Sequence, residues 1–290
     1  MSVDSLRVSV LTPSMNQASW LAENLRSVAG QTYGRIEHIV MDGGSTDGTV
    51  EILKAVGDGV RWKSEPDTGQ SNAINKAFRE STGDIIGWLN SDDAYFDFNV
   101  VEDVVAYFSA HPEVDVVFGH CVQITGDGHI IQVLWTPKYD PNLMKAVNAF
   151  MQPSTFIRRS ALTEPMLDET FHFAMDYELW LRLEAAGRSF RRLDRITSID
   201  RQQRERKSLT IKDVNDSDLQ RLSAMYGLRL AEEHNRTRSR YYVNQRIMGA
   251  LHIPGIRRSE LAWRAPVDFK RGLWCRQLVQ RRVDWPEEYR

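Results

Sequence analysis

Asp92 and Asp93 stand side by side in Trp88-Leu89-Asn90-Ser91-Asp92-Asp93-Ala94, at the end of an apolar run that begins at Ile85. The run reads as a buried strand, and buried strands of α/β sheets present functional side chains at their C-terminal ends. No basic residue neighbours the pair in the local sequence, so two carboxylates there call for a cation. A divalent metal carrying a diphosphate would supply one. A single Asp in such a place also serves as a helix N-cap, but two exceed that need.

Three other loops follow apolar runs and hold more polar chemistry than a connector requires. They are Thr12-Pro13-Ser14-Met15-Asn16-Gln17, Asp42-Gly43-Gly44-Ser45-Thr46-Asp47-Gly48 and Glu65-Pro66-Asp67-Thr68-Gly69-Gln70. An ionised carboxylate only accepts hydrogen bonds. Asp42 therefore suits the imide N–H of a uracil-like base, or equally the cap of its own glycine-rich turn. Asp67 precedes Thr68-Gly69, where a type I turn explains it as well as a ligand would. Asp176 heads a segment with Leu179, Leu183 and Ala186 on one helical face. It is either that helix's N-cap or a general base, whose pKa burial or the nearby Glu178 would raise.

The elements that must carry these loops alternate. Val8–Thr12, Ile36–Met41, Val60–Lys63, Ile85–Leu89 and Val114–Gly119 read as strands, and helical spacing of apolar residues fills the intervals between them. Such alternation implies a mostly parallel central sheet with helices on both faces and right-handed crossovers. The four loops then share one edge and converge on one crevice. Beyond it, Cys121–Thr125 and His129–Trp135 flank Gly126-Asp127-Gly128 as a hairpin, Thr155–Arg158 is a further strand, and the chain turns polar and helical from about Asp213. The expected organisation is a domain over 1–210, in two halves that divide near 120, and a helical C-terminal extension over 211–290.

The totals narrow the class. Apolar content of 42% and charged content of 26% are those of a globular protein. No apolar run nears the ~20 residues that span a bilayer, and Met1–Arg7 lacks the pattern of a secretory signal. Cys121 and Cys275 make no disulfide framework, which fits a reducing cytoplasm. Residues 201–290 carry 20 Lys and Arg against 11 Asp and Glu, so a basic tail follows an acidic body. That tail is either a solvated helical face or a peripheral contact with an anionic membrane at its inner face. A packing surface or homodimer contact is equally open, and no nucleic-acid partner is indicated. The first loop, Thr12-Pro13-Ser14-Met15, has no glycine, which disfavours a dinucleotide fold, and no Gly-Lys-Ser/Thr loop follows a strand.

Taken together the blocks resemble glycosyltransferase family 2. Thr12-Pro13-Ser14-Met15-Asn16, Asp42 to Gly48, Ser64 to Gln70 with Ala73-Ile74-Asn75-Lys76, Asn90-Ser91-Asp92-Asp93 and Ala174 to Arg182 follow that family's order over about residues 6–210. The resemblance implies a GT-A, Rossmann-like fold and an inverting transfer of one sugar from a nucleotide-sugar, UDP-linked by expectation. The acceptor would be a hydroxyl of a glycan, a lipid-linked sugar or a small molecule, in surface glycan or polysaccharide synthesis. It implies nucleotide contacts from Thr12, Pro13, Asn16, Asp42, Asp67, Gln70, Asn90 and Asp92, and a Mn2+ or Mg2+ ion on Asp92 and Asp93. Asp176 would be the base, with His172 and Glu178 on the acceptor side. Two departures stand out. Asn90 replaces an acid, and the stretch Arg201 to Ser208 lacks the family's His, which leaves Arg204 and Lys207 as cations for the diphosphate. A catalytically silent sugar-nucleotide scaffold and a sugar-phosphate nucleotidyltransferase are the competing readings. Trp88 and Trp180 are expected in the core or walls, Trp135 in a hairpin core or on a sugar face, and His38 and His120 in structural roles.

Overall fold

A computed structural model describes residues 6–126, 128, 130–202, 212–228 and 236–252. The chain begins β1 (Val8–Ser14), α1 (Leu21–Ala29), β2 (Ile36–Asp42), α2 (Thr49–Ala55), β3 (Arg61–Ser64), α3 (Gln70–Glu80), β4 (Ile85–Trp88) and β5 (Ala94–Tyr95). It continues through α4 (Val100–Ala110), β6 (Val116–Thr125), β7 (Ile130–Leu134), α5 (Pro141–Met144), β8 (Thr155–Arg158), α6 (Met175–Ala185) and β9 (Phe190–Gln202). Two helices follow, α7 (Lys212–Tyr226) and α8 (Arg236–His252).

All strands join one sheet in the order β3-β2-β1-β4-β8-β6-β9-β5, with β7 paired to β6. The first four in this order are mutually parallel. β8 runs against both β4 and β6, while β6 and β9 are parallel. The period of two along each strand sorts the core into layers. Val8, Val10, Ile85 and Leu89 pack with α4 and with Val28 of α1. Their alternates Leu11, Ile39, Ile86 and Trp88 pack with α3 and α6. Val40 meets Leu21, Leu25 and Leu53, which brings α1 and α2 onto the first face. The expected α/β architecture with helices on both faces is the one observed.

The expected fifth strand and first hairpin arm, Val114–Gly119 and Cys121–Thr125, are one continuous strand, β6. It runs through Gly119 because β9 crosses close there: a Cβ on Gly119 would lie 2.5 Å from Thr197. β5 and β9 were not expected. β9 is long and rich in arginine, so its sequence lacks the apolar alternation of a buried strand. α7 packs onto the body rather than away from it, and its Leu222 is fully buried in the α3–α6 core. α8 contacts the β6–β7 hairpin region, where the Gln245 side-chain amide accepts from Trp135 N–H at 3.1 Å and donates to the Trp135 carbonyl at 2.5 Å. Its exposed residues include Arg236, Arg240, Tyr242 and Val243. No helix among the described residues is long and apolar enough to cross a membrane.

Candidate active site

Asn90 to Asp93 form the turn that ends β4, closed by Asp93 N–H donating to the Asn90 carbonyl at 3.0 Å. The turn is held from below by α1. Asn24, buried on that helix, donates to the carbonyls of Asn90 (2.8 Å) and Asp93 (3.1 Å). β9 supports it from the side. Arg201 N–H donates to Asp93 Oδ1 at 3.2 Å, and the Arg201 guanidinium donates to the Asp92 carbonyl at 3.3 Å and pairs with Glu23. Local sequence showed no cation near the acid pair; the fold brings one, but aims its side chain at the backbone and at Glu23.

Asn90 is the hub of this region. Its Oδ1 accepts from Gln70 (2.7 Å) and from the Trp88 indole N–H (2.8 Å). An indole N–H can only donate, so the oxygen must face it. The Asn90 amino group then faces Gln152 Oε1 (2.9 Å) and Asp93 Oδ2 (3.3 Å). Gln152 in turn donates to the Trp88 carbonyl.

The turn opens into a cleft of about 500 Å³, a size that suits a small organic ligand. Pro13, Asp67, Gln70, Asn90, Asp92 and Asp93 line it together with His172, Phe173, Met175 and Asp176. Three of the expected nucleotide residues sit elsewhere. Thr12 is fully buried beneath the cleft, its hydroxyl 2.9 Å from His38 Nε2. Burial pushes the His38 imidazole down to about 3, so it is neutral. Asn16 adopts a left-handed φ of 53° and stitches two loops, accepting from Thr46 N–H (2.9 Å) and donating its own N–H to the Ser45 hydroxyl (2.7 Å). Asp42 is buried and caps its turn, with Oδ2 accepting from Gly44 N–H (3.1 Å), Ser45 N–H (2.9 Å) and the Ser64 hydroxyl (2.6 Å). Asp67 both lines the cleft and closes a turn through Gly69 N–H at 2.8 Å. It lies so near Gly43 that a Cβ there would come within 2.8 Å of its carboxylate.

Asp176, also in the cleft lining, is the second residue of α6, and Ala174 occupies the N-cap position. The N-cap reading of Asp176 therefore does not hold. Its Oδ1 accepts from Tyr177 N–H (2.7 Å) and its Oδ2 from the Asn148 amide (3.3 Å). Glu178 does not reach the cleft. It is buried against Arg182 (3.0 Å) and accepts from the Tyr226 hydroxyl (3.1 Å). The reason is helical geometry: two residues apart on a helix point to different faces. His120 is likewise internal, accepting from Thr136 N–H at 3.1 Å and lying 3.2 Å from Asp194. Trp88 and Trp180 are buried, and Trp135 packs edge-on to His120. Arg204 and Lys207 lie outside the described residues.

The sequence reading missed Asn148, Gln152 and Asp200, all in the cleft wall. Asn148 and Gln152 sit in a stretch with no periodic pattern, where polar residues alternate with Phe150 and Pro153. That mixture of amide and apolar wall residues was the available signal.

The sheet order, with a cleft at the strand ends, defines an α/β fold of the GT-A type. The chain belongs to glycosyl transferase family 2, whose sequence profile matches residues 9–175. An uncharacterized glycosyltransferase of Mycobacterium tuberculosis is 40% identical over 114 residues, 39% of this chain and 44% of that protein. A PGL/p-HBAD biosynthesis glycosyltransferase of Mycobacterium bovis is 30% identical over 118 residues, 39% of this chain and 46% of that protein. Both matches span less than half of the relative's length. Among solved structures, S. aureus TarS 1–349 in complex with UDP-GlcNAc superposes with a TM-score of 0.61 at 18% identity, over 86% of this chain and 78% of that one. The mannosyltransferase PcManGT of Pyrobaculum calidifontis, in complex with GDP-Man and Mn2+, gives 0.57 at 18%, over 89% and 74%.

Proposed function

We propose that this protein is an inverting transferase that moves one sugar from a nucleoside-diphosphate sugar to an acceptor hydroxyl in glycan synthesis. The observation that carries the reading is the cleft itself, whose lining brings Asp92 and Asp93 at the end of β4 together with Asp176 at the start of α6. Asp67 and Gln70 border the nucleotide end. Asp176 accepts the proton of the acceptor hydroxyl while that oxygen bonds to the anomeric carbon. The bond from that carbon to the diphosphate oxygen breaks, and the nucleoside diphosphate departs on the opposite face. Asn148 holds the Asp176 carboxylate at 3.3 Å through its amide N–H. UDP is the donor class the reading favours, since TarS was solved with UDP-GlcNAc.

Asp92 and Asp93 fit a divalent ion of the Mg2+ or Mn2+ kind. Among the described residues no group of three His, Cys, Asp or Glu forms a cage. One or two carboxylates completed by substrate phosphates and water is how such ions bind at transferase sites. When bound, the ion neutralises charge developing on the leaving diphosphate. Asp92→Ala and Asp93→Ala should each weaken Mn2+-dependent UDP binding in calorimetry and cut donor turnover by about 10²-fold or more. Asp176→Asn should bind UDP as the parent does and lose transfer by a similar factor. Transfer by Asp176→Asn at the parent rate would remove the base from this mechanism.

A further inference from the structure

Asp218 lies on α7, in the stretch expected to be a helical C-terminal extension, and it is 3% exposed. One of its oxygens, Oδ2, accepts three successive backbone N–H groups: His172 at 3.0 Å, Phe173 at 2.8 Å and Ala174 at 3.1 Å. Successive N–H groups converging on one point make a nest for an anion, and here the chain supplies the anion from 44 to 46 residues away. α6 has no side-chain cap of its own at Ala174, and its first turn leaves N–H groups without helical partners. Asp218 therefore orders the approach to a helix whose second residue is Asp176.

The same face of α7 grips this segment elsewhere. Arg221 donates to the carbonyl and hydroxyl of Thr170, both at 2.8 Å, and lies 4.1 Å from the centre of the Phe171 ring. Leu222 is buried in the α6 core, and Tyr226 donates to Glu178. Residues 218, 221, 222 and 226 are spaced three, four and eight apart, which is one stripe of a helix. Glu178, on α6, and Thr170, before it, bracket the two acceptor-wall residues His172 and Asp176.

We infer that Asp218 is a positioning residue for transfer: it fixes the His172–Ala174 backbone and so sets where Asp176 meets the acceptor, without touching substrate. The inference rests on the assignment of Asp176 as base, and its test separates the two. In the full-length chain, amide exchange of the segment around residues 171–178 should rise by about tenfold or more in Asp218→Ala, with β1 to β4 unchanged. Asp218→Asn keeps an accepting oxygen at the nest and should retain most of the protection. With UDP-GlcNAc and Mn2+ as probe, UDP release by Asp218→Ala should fall by roughly tenfold in kcat while KM for UDP-GlcNAc stays within about twofold. Asp218→Asn should recover most of that kcat. Parent-like exchange or parent-like kcat in Asp218→Ala overturns the inference, as does a loss of protection spread equally over β1 to β4. If the parent itself releases no UDP, the exchange arm alone decides the positioning role, and the failure belongs to the donor assignment.

Discussion

Asn90 shows how a residue can match a pattern and do something the pattern does not state. In the sequence it marked a missing acid. In the structure its amide is spent on four partners, Gln70, Trp88, Gln152 and Asp93, and two of these need a donor that a carboxylate lacks. The amide thus organises the acid turn as well as lining the cleft. His38 makes a second residue-scale point. Burial holds its pKa near 3, against ~6.5 in the unfolded chain. Between those values the unfolded chain binds a proton that the folded chain excludes. His38 thus withdraws stability as pH falls below about 6.5, by up to about 1.4 kcal/mol per pH unit, until the folded pKa is reached. His38→Gln should flatten that limb by about this slope in urea titrations between roughly pH 4.5 and 7. An unchanged slope would mean that His38 is not the buried neutral group.

At the scale of elements, the parallel core was legible and β9 was not. β1, β2 and β4 announced themselves through short apolar runs because both of their faces are covered. β9 buries charge instead. Arg195 pairs with Asp97 at 2.6 Å and with Asp103, and Arg201 with Glu23, so the partners come from the region of α4 and from α1. A sequence shows the arginines but not which distant carboxylate will meet them, and so the strand gave no signal. The same blindness hid Asn24 and Asp218, polar residues whose partners are backbone groups of other elements. Arg195→Ala should cost about 3–5 kcal/mol in urea unfolding, because it strands an Asp97 side chain that is 3% exposed. Arg191→Ala on the exposed side of the same strand should stay within about 0.5 kcal/mol. Equal effects of the two would deny the buried pair its weight.

For the whole molecule, packing continues past residue 210: α7 places Leu222 in the core with α3 and α6 and Asp218 against the backbone of His172 to Ala174. A chain ending at residue 210 loses both, and its melting midpoint should drop by about 5–10 °C relative to the full chain. A midpoint within about 1 °C of the full chain would restore the boundary. Pro13, Asp67, Gln70, Asp92 and Asp93 were readable because their loops follow strands. Asp176 was readable because it stood in the Ala174 to Arg182 block, whereas Asn148 and Gln152 arrive on an irregular stretch.

The amides along the cleft floor carry one more implication. Asn90 bonds Gln152, and four residues earlier Asn148 bonds Asp176. Asp93 and Asp176 are thus each held by an amide, a group that neither gains nor loses a proton across the working pH range. These amide contacts do not themselves change with acidity. Under the proposed mechanism a pH–rate profile would record ionisation of the carboxylates and the substrate, with the amides silent.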